Sequence, residues 1–448
     1  MSKYFGTDGF RGEAGVALTS DHAYKIGRFL GHYYAREDGH KVRAVIGKDT
    51  RRSCYTLEYA IAAGLSASGA DVYMLHVTTT PCVSFAVAQD DFDCGIMISA
   101  SHNPYTDNGI KLVNKRGEKI DDATIADIEC YLDGDGELPF ACGEQIGRIV
   151  DYAAGRNRYI GYLISLSQYS FRPFRIGLDC ANGSSWMIAK SVFDALGAKT
   201  YPIHTEPNGV NINHRAGSTH IEALVEHVKR EGLDAGFAFD GDADRCIAVD
   251  EKGQVVNGDH VVYLLGQYLK SQGALVKNTV VTTVMSNLGL YRALDEADIR
   301  YEQTTVGDRF VYECMQQNGY CLGAEQSGHV ILSKYATTGD GILTAIKIME
   351  AMIGSKRSLS ELAAPVRMFP QITENVRVKN KSAVRENEKV QQVLNTVKAR
   401  LEGEGRILLR ESGTEPVVRV MVEASTEALA RAYAAEVAAV IRREGLTI

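Results

Sequence analysis

No Cys-x-x-Cys pair occurs in the chain, and its nine cysteines (54, 82, 94, 130, 142, 180, 246, 314 and 321) are odd in number. Such a set argues against a disulfide framework and against a zinc site, so the cysteines read as reduced and mostly buried. Also missing is any run near the ~20 apolar residues that a membrane span requires. The opening Met1-Ser2-Lys3-Tyr4-Phe5-Gly6 lacks an apolar signal core, which predicts a cytoplasmic protein. Positive charge is the remaining shortage. With a formal net charge of −7 the chain offers no basic face to a phosphate backbone, which argues against a nucleic-acid partner. Any anionic ligand must therefore meet a local basic pocket.

What is present is an ordinary globular composition, 45% hydrophobic and 23% charged over 448 residues, enough for several domains. Thr19 or Ser20 caps a helix with Ala23, Ile26, Leu30 and Tyr33 at helical spacing. A strand over 42–47, a helix over 57–68 and a strand over 71–75 follow, the alternation of parallel α/β layers. The same phrase recurs at 176–183, and again as a strand over 279–284, a helix from Ser286 and a strand over 299–301. Three related α/β domains are therefore expected. From about Arg367 the character changes to a strand over 372–378, a helix over 382–401, strands over 406–409 and 417–422, and a helix over 426–443. This reads as a small α+β domain, and the expected divisions are 1–152, 153–253, 254–366 and 367–448.

Four stretches carry chemistry. Cys94-Gly95-Ile96-Met97-Ile98 predicts a buried strand, which Ser99-Ala100-Ser101-His102-Asn103-Pro104 breaks into a polar loop. Reactive groups collect at strand carboxyl ends in open α/β sheets, so the address suits Ser101 as a nucleophile. An alcohol needs a nearby base or metal ion, and His102 alone establishes neither. These residues are also common turn formers, so a plain turn stays open at this point. Farther on, Phe237-Ala238-Phe239 runs into Asp240-Gly241-Asp242-Ala243-Asp244-Arg245 before Cys246-Ile247-Ala248-Val249 resumes a strand. Carboxylates this close repel one another, and a divalent cation relieves them. An EF-hand would use Asp240, Asp242, Asp244 and Glu251. Its sixth position needs glycine, however, and holds Arg245, and the flanks read as strands. The expectation is Mg²⁺ with positions open to phosphate oxygens, against a solvated acidic turn.

The third stretch, Gly323-Ala324-Glu325-Gln326-Ser327-Gly328-His329, offers a carboxylate and a hydroxyl at i and i+2, suited to adjacent sugar hydroxyls. The fourth, Arg410-Glu411-Ser412-Gly413-Thr414-Glu415-Pro416, combines a guanidinium, hydroxyls and a closely approachable glycine, with Arg419 nearby. Such a loop cradles a phosphate, although a plain Ser-Gly hairpin is the alternative. Arg11 and Arg309, in Phe5-Gly6-Thr7-Asp8-Gly9-Phe10-Arg11-Gly12 and Thr305-Val306-Gly307-Asp308-Arg309, are further cations that alone also read as surface charge.

Taken in order, Phe5 to Gly12, Ser99 to Pro104, Asp240 to Arg245, Gly323 to His329 and Arg410 to Pro416 resemble the motifs of the α-D-phosphohexomutases across nearly the whole chain. Gly217-Ser218-Thr219-His220, Thr283-Val284-Met285-Ser286-Asn287-Leu288-Gly289, Val306-Gly307-Asp308-Arg309 and Thr337-Thr338-Gly339-Asp340-Gly341 look like the branch that acts on glucosamine phosphates. Two departures stand out: Ala324 where a second glycine is more usual, and Val77-Thr78-Thr79-Thr80-Pro81 in place of a more proline-rich run. The resemblance implies four domains around a central cleft, the first three sharing an α/β core with mixed sheets. It also implies that Ser101 bears a transferable phosphoryl group and completes a Mg²⁺ shell with Asp240, Asp242 and Asp244. Arg11, Lys111 and His329 would surround the reacting oxygen. Arg245, Asp308, Arg309, Glu325, Ser327, Arg410, Ser412, Gly413, Thr414 and Arg419 would bind the phosphosugar.

The implied reaction interconverts glucosamine 6-phosphate and glucosamine 1-phosphate through a 1,6-bisphosphate, for UDP-N-acetylglucosamine and cell-wall precursor synthesis. A hexosamine or hexose 1,6-bisphosphate would prime the dephosphorylated enzyme, and a homodimer is allowed for. The near alternative is a phosphomannomutase or phosphoglucomutase of the same superfamily. More distant ones are a regulatory subunit that binds sugar phosphates and a metal-dependent phosphatase.

Overall fold

The strands Cys94–Ile98 and Ala235–Phe239 are buried along their whole length, as strands with both faces covered by helices must be. The computed structural model describes residues 3–38, 40–134, 136–411 and 416–448. The chain forms two compact units, Met1–Val284 with Ile299–Ala364, and Met285–Asp298 with Pro365–Ile448.

Three mixed sheets of the first unit repeat one strand order. In the first, Asp107–Asn114, Cys94–Ile98, Arg43–Lys48 and Asp71–Val77 lie side by side, the first pair antiparallel and the others parallel. The second has Cys246–Asp250, Ala235–Phe239, Arg175–Asp179 and Lys199–Ile203 in the same relation. Val330–Leu332, Leu322–Ala324, Thr279–Thr283 and Arg300–Thr304 repeat it in the third. The loops carrying Ser101, the aspartates and Glu325 therefore hold equivalent places. Each joins a parallel strand's carboxyl end to the antiparallel strand beside it. The repeat read from composition is thus a repeat of topology.

Helix Ser20–Asp38 buries Ala23, Ile26 and Leu30 as its spacing predicts, while Tyr34 rather than Tyr33 takes the next buried place. It packs on helix Ser53–Ala67 closely enough that a Cβ on Gly64 would stand 2.2 Å from the Tyr24 carbonyl oxygen. Among the described residues, no helix is long and apolar enough to cross a membrane. All nine cysteines are free thiols; Cys54, Cys82, Cys94, Cys180 and Cys246 are buried, whereas Cys130 and Cys142 are exposed.

In the second unit, Gln371–Arg377, Val417–Glu423 and Arg406–Glu411 form an antiparallel sheet, with Val417–Glu423 in the middle. Two expectations change here. The single helix over 382–401 is two helices, Lys381–Glu386 and Glu388–Arg400. Asn387 separates them with extended backbone, and its side chain accepts from Val390 N–H at 3.1 Å. An Asn side chain competes for backbone hydrogen bonds and so favours a cap over a helix interior. The helix expected from Ser286 starts at Leu288 and is capped by Asn287. It packs with the second unit, the Leu288 N–H donating to Glu423 Oε2 at 2.9 Å and the Arg406 guanidinium to the Ser286 carbonyl.

Candidate active site

Ser101 is buried with φ at 51°, a left-handed conformation that costs a residue with a Cβ roughly 1–2 kcal/mol. Several buried polar groups hold it there. Its N–H donates to Ser99 Oγ at 2.9 Å, and that hydroxyl donates to Asp49 Oδ2 at 2.6 Å. Arg51, fully buried and paired with Asp49, donates to the carbonyls of Ser101 and Asn103 at 3.2 and 2.6 Å. Asn213, from the second sheet's side, donates to the same two carbonyls at 2.8 and 3.0 Å. The hydroxyl this clamp presents donates to Asp240 Oδ2 at 2.5 Å. His102 Nδ1 lies 3.3 Å from the same oxygen. Burial, with Arg245 and Arg11 nearby, pushes the His102 pKa down to about 4, so its ring is neutral at pH 7.

Strand Ala235–Phe239 delivers the aspartates, and a left-handed Ala243 (φ 56°) turns the loop among them. Asp240, Asp242 and Asp244 are all buried, with one oxygen from each within 4.8 Å of the others. Burial, then Asp244 and Asp242, push the Asp240 carboxyl well above the usual carboxylate range. Burial acts likewise on Asp244, but Lys111 and His329 outweigh it and hold that carboxyl well below the range. Lys111 Nζ lies 2.8 Å from Asp242 and 2.9 Å from Asp244. Asp242 Oδ1 and Asp244 Oδ1 are nonetheless buried without a hydrogen-bond partner. A set of hard carboxylate oxygens with unspent acceptors fits a divalent cation that prefers oxygen ligands.

The remaining expected residues fall into three groups. Arg11, Lys111, Arg245, Asp308 and His329 gather at the aspartates. Arg11 pairs with Asp8, which lies 3.4 Å from Lys111 Nζ. The Arg245 N–H donates to Asp240 Oδ1 at 3.2 Å, and its Nε lies 3.9 Å from Asp244. His329 stands between Asp244 at 3.7 Å and Asp308 at 3.5 Å. Burial lowers the His329 pKa, but those two carboxylates outweigh it and leave the pKa raised. Glu325, Ser327 and Arg309 make up the second group, placed more loosely. Glu325 Oε1 accepts from Gly307 N–H at 3.0 Å, Ser327 is exposed on a turn, and Arg309 is paired with Asp122 and Glu313.

The third group belongs to the second unit. Arg410 and Arg419 face each other across neighbouring strands. Ser412, Gly413 and Thr414 lie outside the described residues. Sequence reasoning missed Asp8, Asp49, Arg51, Lys119 and Asn213. A signal for two of them was present in Lys48-Asp49-Thr50-Arg51 at the strand end.

Comparison with known proteins finds all four parts of one family in chain order. Phosphoglucomutase/phosphomannomutase alpha/beta/alpha domain I matches residues 2–137, domain II residues 157–253, domain III residues 257–369 and the C-terminal domain residues 374–440. The chain is 60% identical over 451 residues to the phosphoglucosamine mutase of Lachnospira eligens, with 100% of both chains covered. It is 57% identical to that of Lachnoclostridium phytofermentans, with 99% of both covered. Among solved structures, a phosphoglucomutase/phosphomannomutase family protein from Burkholderia thailandensis superposes with a TM-score of 0.79 at 23% identity, covering 99% of this chain and 98% of that one. Aspergillus fumigatus N-acetylphosphoglucosamine mutase in complex with GlcNAc-6P and magnesium gives 0.68 at 17% identity, covering 99% and 96%. At those identities the two structures speak to fold alone.

Proposed function

The chain belongs to the phosphoglucomutase/phosphomannomutase family, and we propose that it interconverts glucosamine 6-phosphate and glucosamine 1-phosphate through a phosphoserine at position 101. The sugar follows from the full-length identity of 60% and 57% to proteins of that activity by name. The observation that carries the chemistry is the 2.5 Å contact of Ser101 Oγ with Asp240, which joins residues 139 positions apart at a carboxylate trio.

In the first half-reaction the bond from phosphorus to Ser101 Oγ breaks as one forms to O1 of glucosamine 6-phosphate. The O1 proton passes to a base, and Ser101 Oγ takes up a proton. The 1,6-bisphosphate then reorients, and Ser101 Oγ gives up its proton to a base as it attacks the 6-phosphoryl group, so that the bond from phosphorus to O6 breaks and O6 takes up a proton. Lys111, Arg11 and His329 are the groups proposed to move these protons and stabilise the reacting oxygens. Mg²⁺, held by Asp240, Asp242, Asp244 and a phosphate oxygen of the modified Ser101, would offset charge on the transferring group. Arg245 adds positive charge beside the same carboxylates. Glu325 and Ser327 are proposed to read sugar hydroxyls, with Asp308 and Arg309 alongside. Arg410, Ser412, Gly413, Thr414 and Arg419 are proposed to hold the phosphate that is not reacting. The divisions 1–152, 153–253, 254–366 and 367–448, priming by a hexose or hexosamine 1,6-bisphosphate, a homodimer and a cytoplasmic location belong to the same proposal.

The test couples peptide mass analysis for phosphate on Ser101 to turnover of amino, gluco and manno 6-phosphates. The reading expects phosphate on Ser101 and fastest turnover of the amino sugar. A protein that turns over glucosamine 6-phosphate with its phosphate elsewhere would contradict it.

A further inference from the structure

Two carboxylates from different parts of the fold converge on Lys119. This residue follows strand Asp107–Asn114 and bridges back to Val113. Its ammonium lies 3.1 Å from Asp8 Oδ1 and 2.7 Å from Asp308 Oδ2. Asp8 continues to Lys111 at 3.4 Å and to Arg11, and Asp308 continues to His329 at 3.5 Å. Asp244 closes the circuit, 3.7 Å from His329 and 2.9 Å from Lys111. Charge alternates in sign around this ring of Lys111, Asp8, Lys119, Asp308, His329 and Asp244. Lys119 stands opposite Asp244 in the ring, in the wall of a cavity of about 290 Å³ also lined by Asp308, Tyr312 and Thr337.

Removing the ammonium would leave two carboxylates facing each other without a cation between them. Each would then turn to the next positive charge. For Asp8 that is Lys111 or Arg11, and for Asp308 it is His329. These are the groups proposed above to act at the reacting oxygen. We propose that Lys119 is a positioning residue for phosphoryl transfer, holding Lys111 and Arg11 through Asp8, and His329 through Asp308. The proposal rests on the reading of the site given above.

The experiment measures kcat and KM for the glucosamine phosphates in the parent, Lys119→Met, Lys119→Arg, Asp308→Asn, and Lys119→Met combined with Asp308→Asn. Supporting groups of this kind cost about 10- to 100-fold when removed. Lys119→Met is expected to lose that much in kcat with KM within about threefold, and Lys119→Arg to recover most of it, since its guanidinium also bridges carboxylates. Adding Asp308→Asn to Lys119→Met should cost less in kcat than the product of the two single losses, because the link from Lys119 through Asp308 to His329 is shared. Lys119→Gln gives the same reading should the Met variant not fold. Parent-like kcat in Lys119→Met, an arginine variant as slow as the Met variant, or multiplying losses in the double variant would each overturn the proposal. The parent is the control: no turnover there counts against the proposed function, whereas turnover that Lys119→Met retains counts against Lys119 alone.

Discussion

At the scale of single residues, Ser101 holds a left-handed backbone at φ 51° because Asp49, Arg51, Ser99 and Asn213 together leave it no alternative. Its hydroxyl bonds across to Asp240 at the carboxylate trio. Ser101→Ala should therefore reduce turnover by on the order of 10³ or more while changing stability by no more than about 2 kcal/mol. Steady-state rates and urea unfolding of the same preparation check both halves. Ser101 and the aspartates were legible in the sequence because each sits in a local phrase, an apolar strand broken by polar residues. Arg51 and Asn213 were not, since their bonds to the Ser101 carbonyl span 50 and 112 positions. Lys119 was hidden for the same reason, its partner Asp308 lying 189 positions away.

At the scale of elements, two helix starts carry most of the testable energetics. Asn387 interrupts a helical pattern by capping the helix Glu388–Arg400, and Asn387→Ala should cost about 1 kcal/mol in denaturant unfolding. Asp340 caps helix Gly341–Ser355 through Leu343 N–H at 2.9 Å and accepts from Tyr159 Oη at 2.5 Å. Burial pushes its pKa up to about 6. A carboxyl with a raised folded-state pKa favours the folded state below its unfolded value, near 3.8, and that contribution is lost as pH rises through about 6. Asp340→Asn keeps a capping side chain without the titration. The variant should therefore gain on the order of 3 kcal/mol relative to the parent between pH 4 and pH 7. Urea midpoints at the two pH values measure the difference, and a constant gap would contradict the account. The helical run over 382–401 was legible in the sequence, whereas helix Gly341–Ser355 was not among the expected elements. The period of apolar residues did not reveal the break at Asn387, where side-chain competition for the backbone wins over a helical pattern on either side.

At the scale of the whole molecule, one strand order repeated three times places loops far apart in sequence at equivalent positions in their sheets. The repeat was legible because the strand, loop and helix phrase recurs. The assignment of helix Leu288–Glu296 was not, because local sequence does not say which core an apolar face will join; its contacts run to Glu423 and Arg406 in the second unit. The loop expected to hold the distal phosphate is described at Arg410 and Arg419 but not between 412 and 415.

The central claim is that the phosphoryl group on Ser101 moves to sugar. Protein carrying labelled phosphate on Ser101, mixed with unlabelled glucosamine 6-phosphate and quenched within one turnover, tests it directly. The account predicts that label leaves Ser101 at least as fast as steady-state turnover and is found in hexosamine 1,6-bisphosphate and then in glucosamine 1-phosphate. Label that stays on Ser101 during turnover, or that leaves as inorganic phosphate, would contradict it.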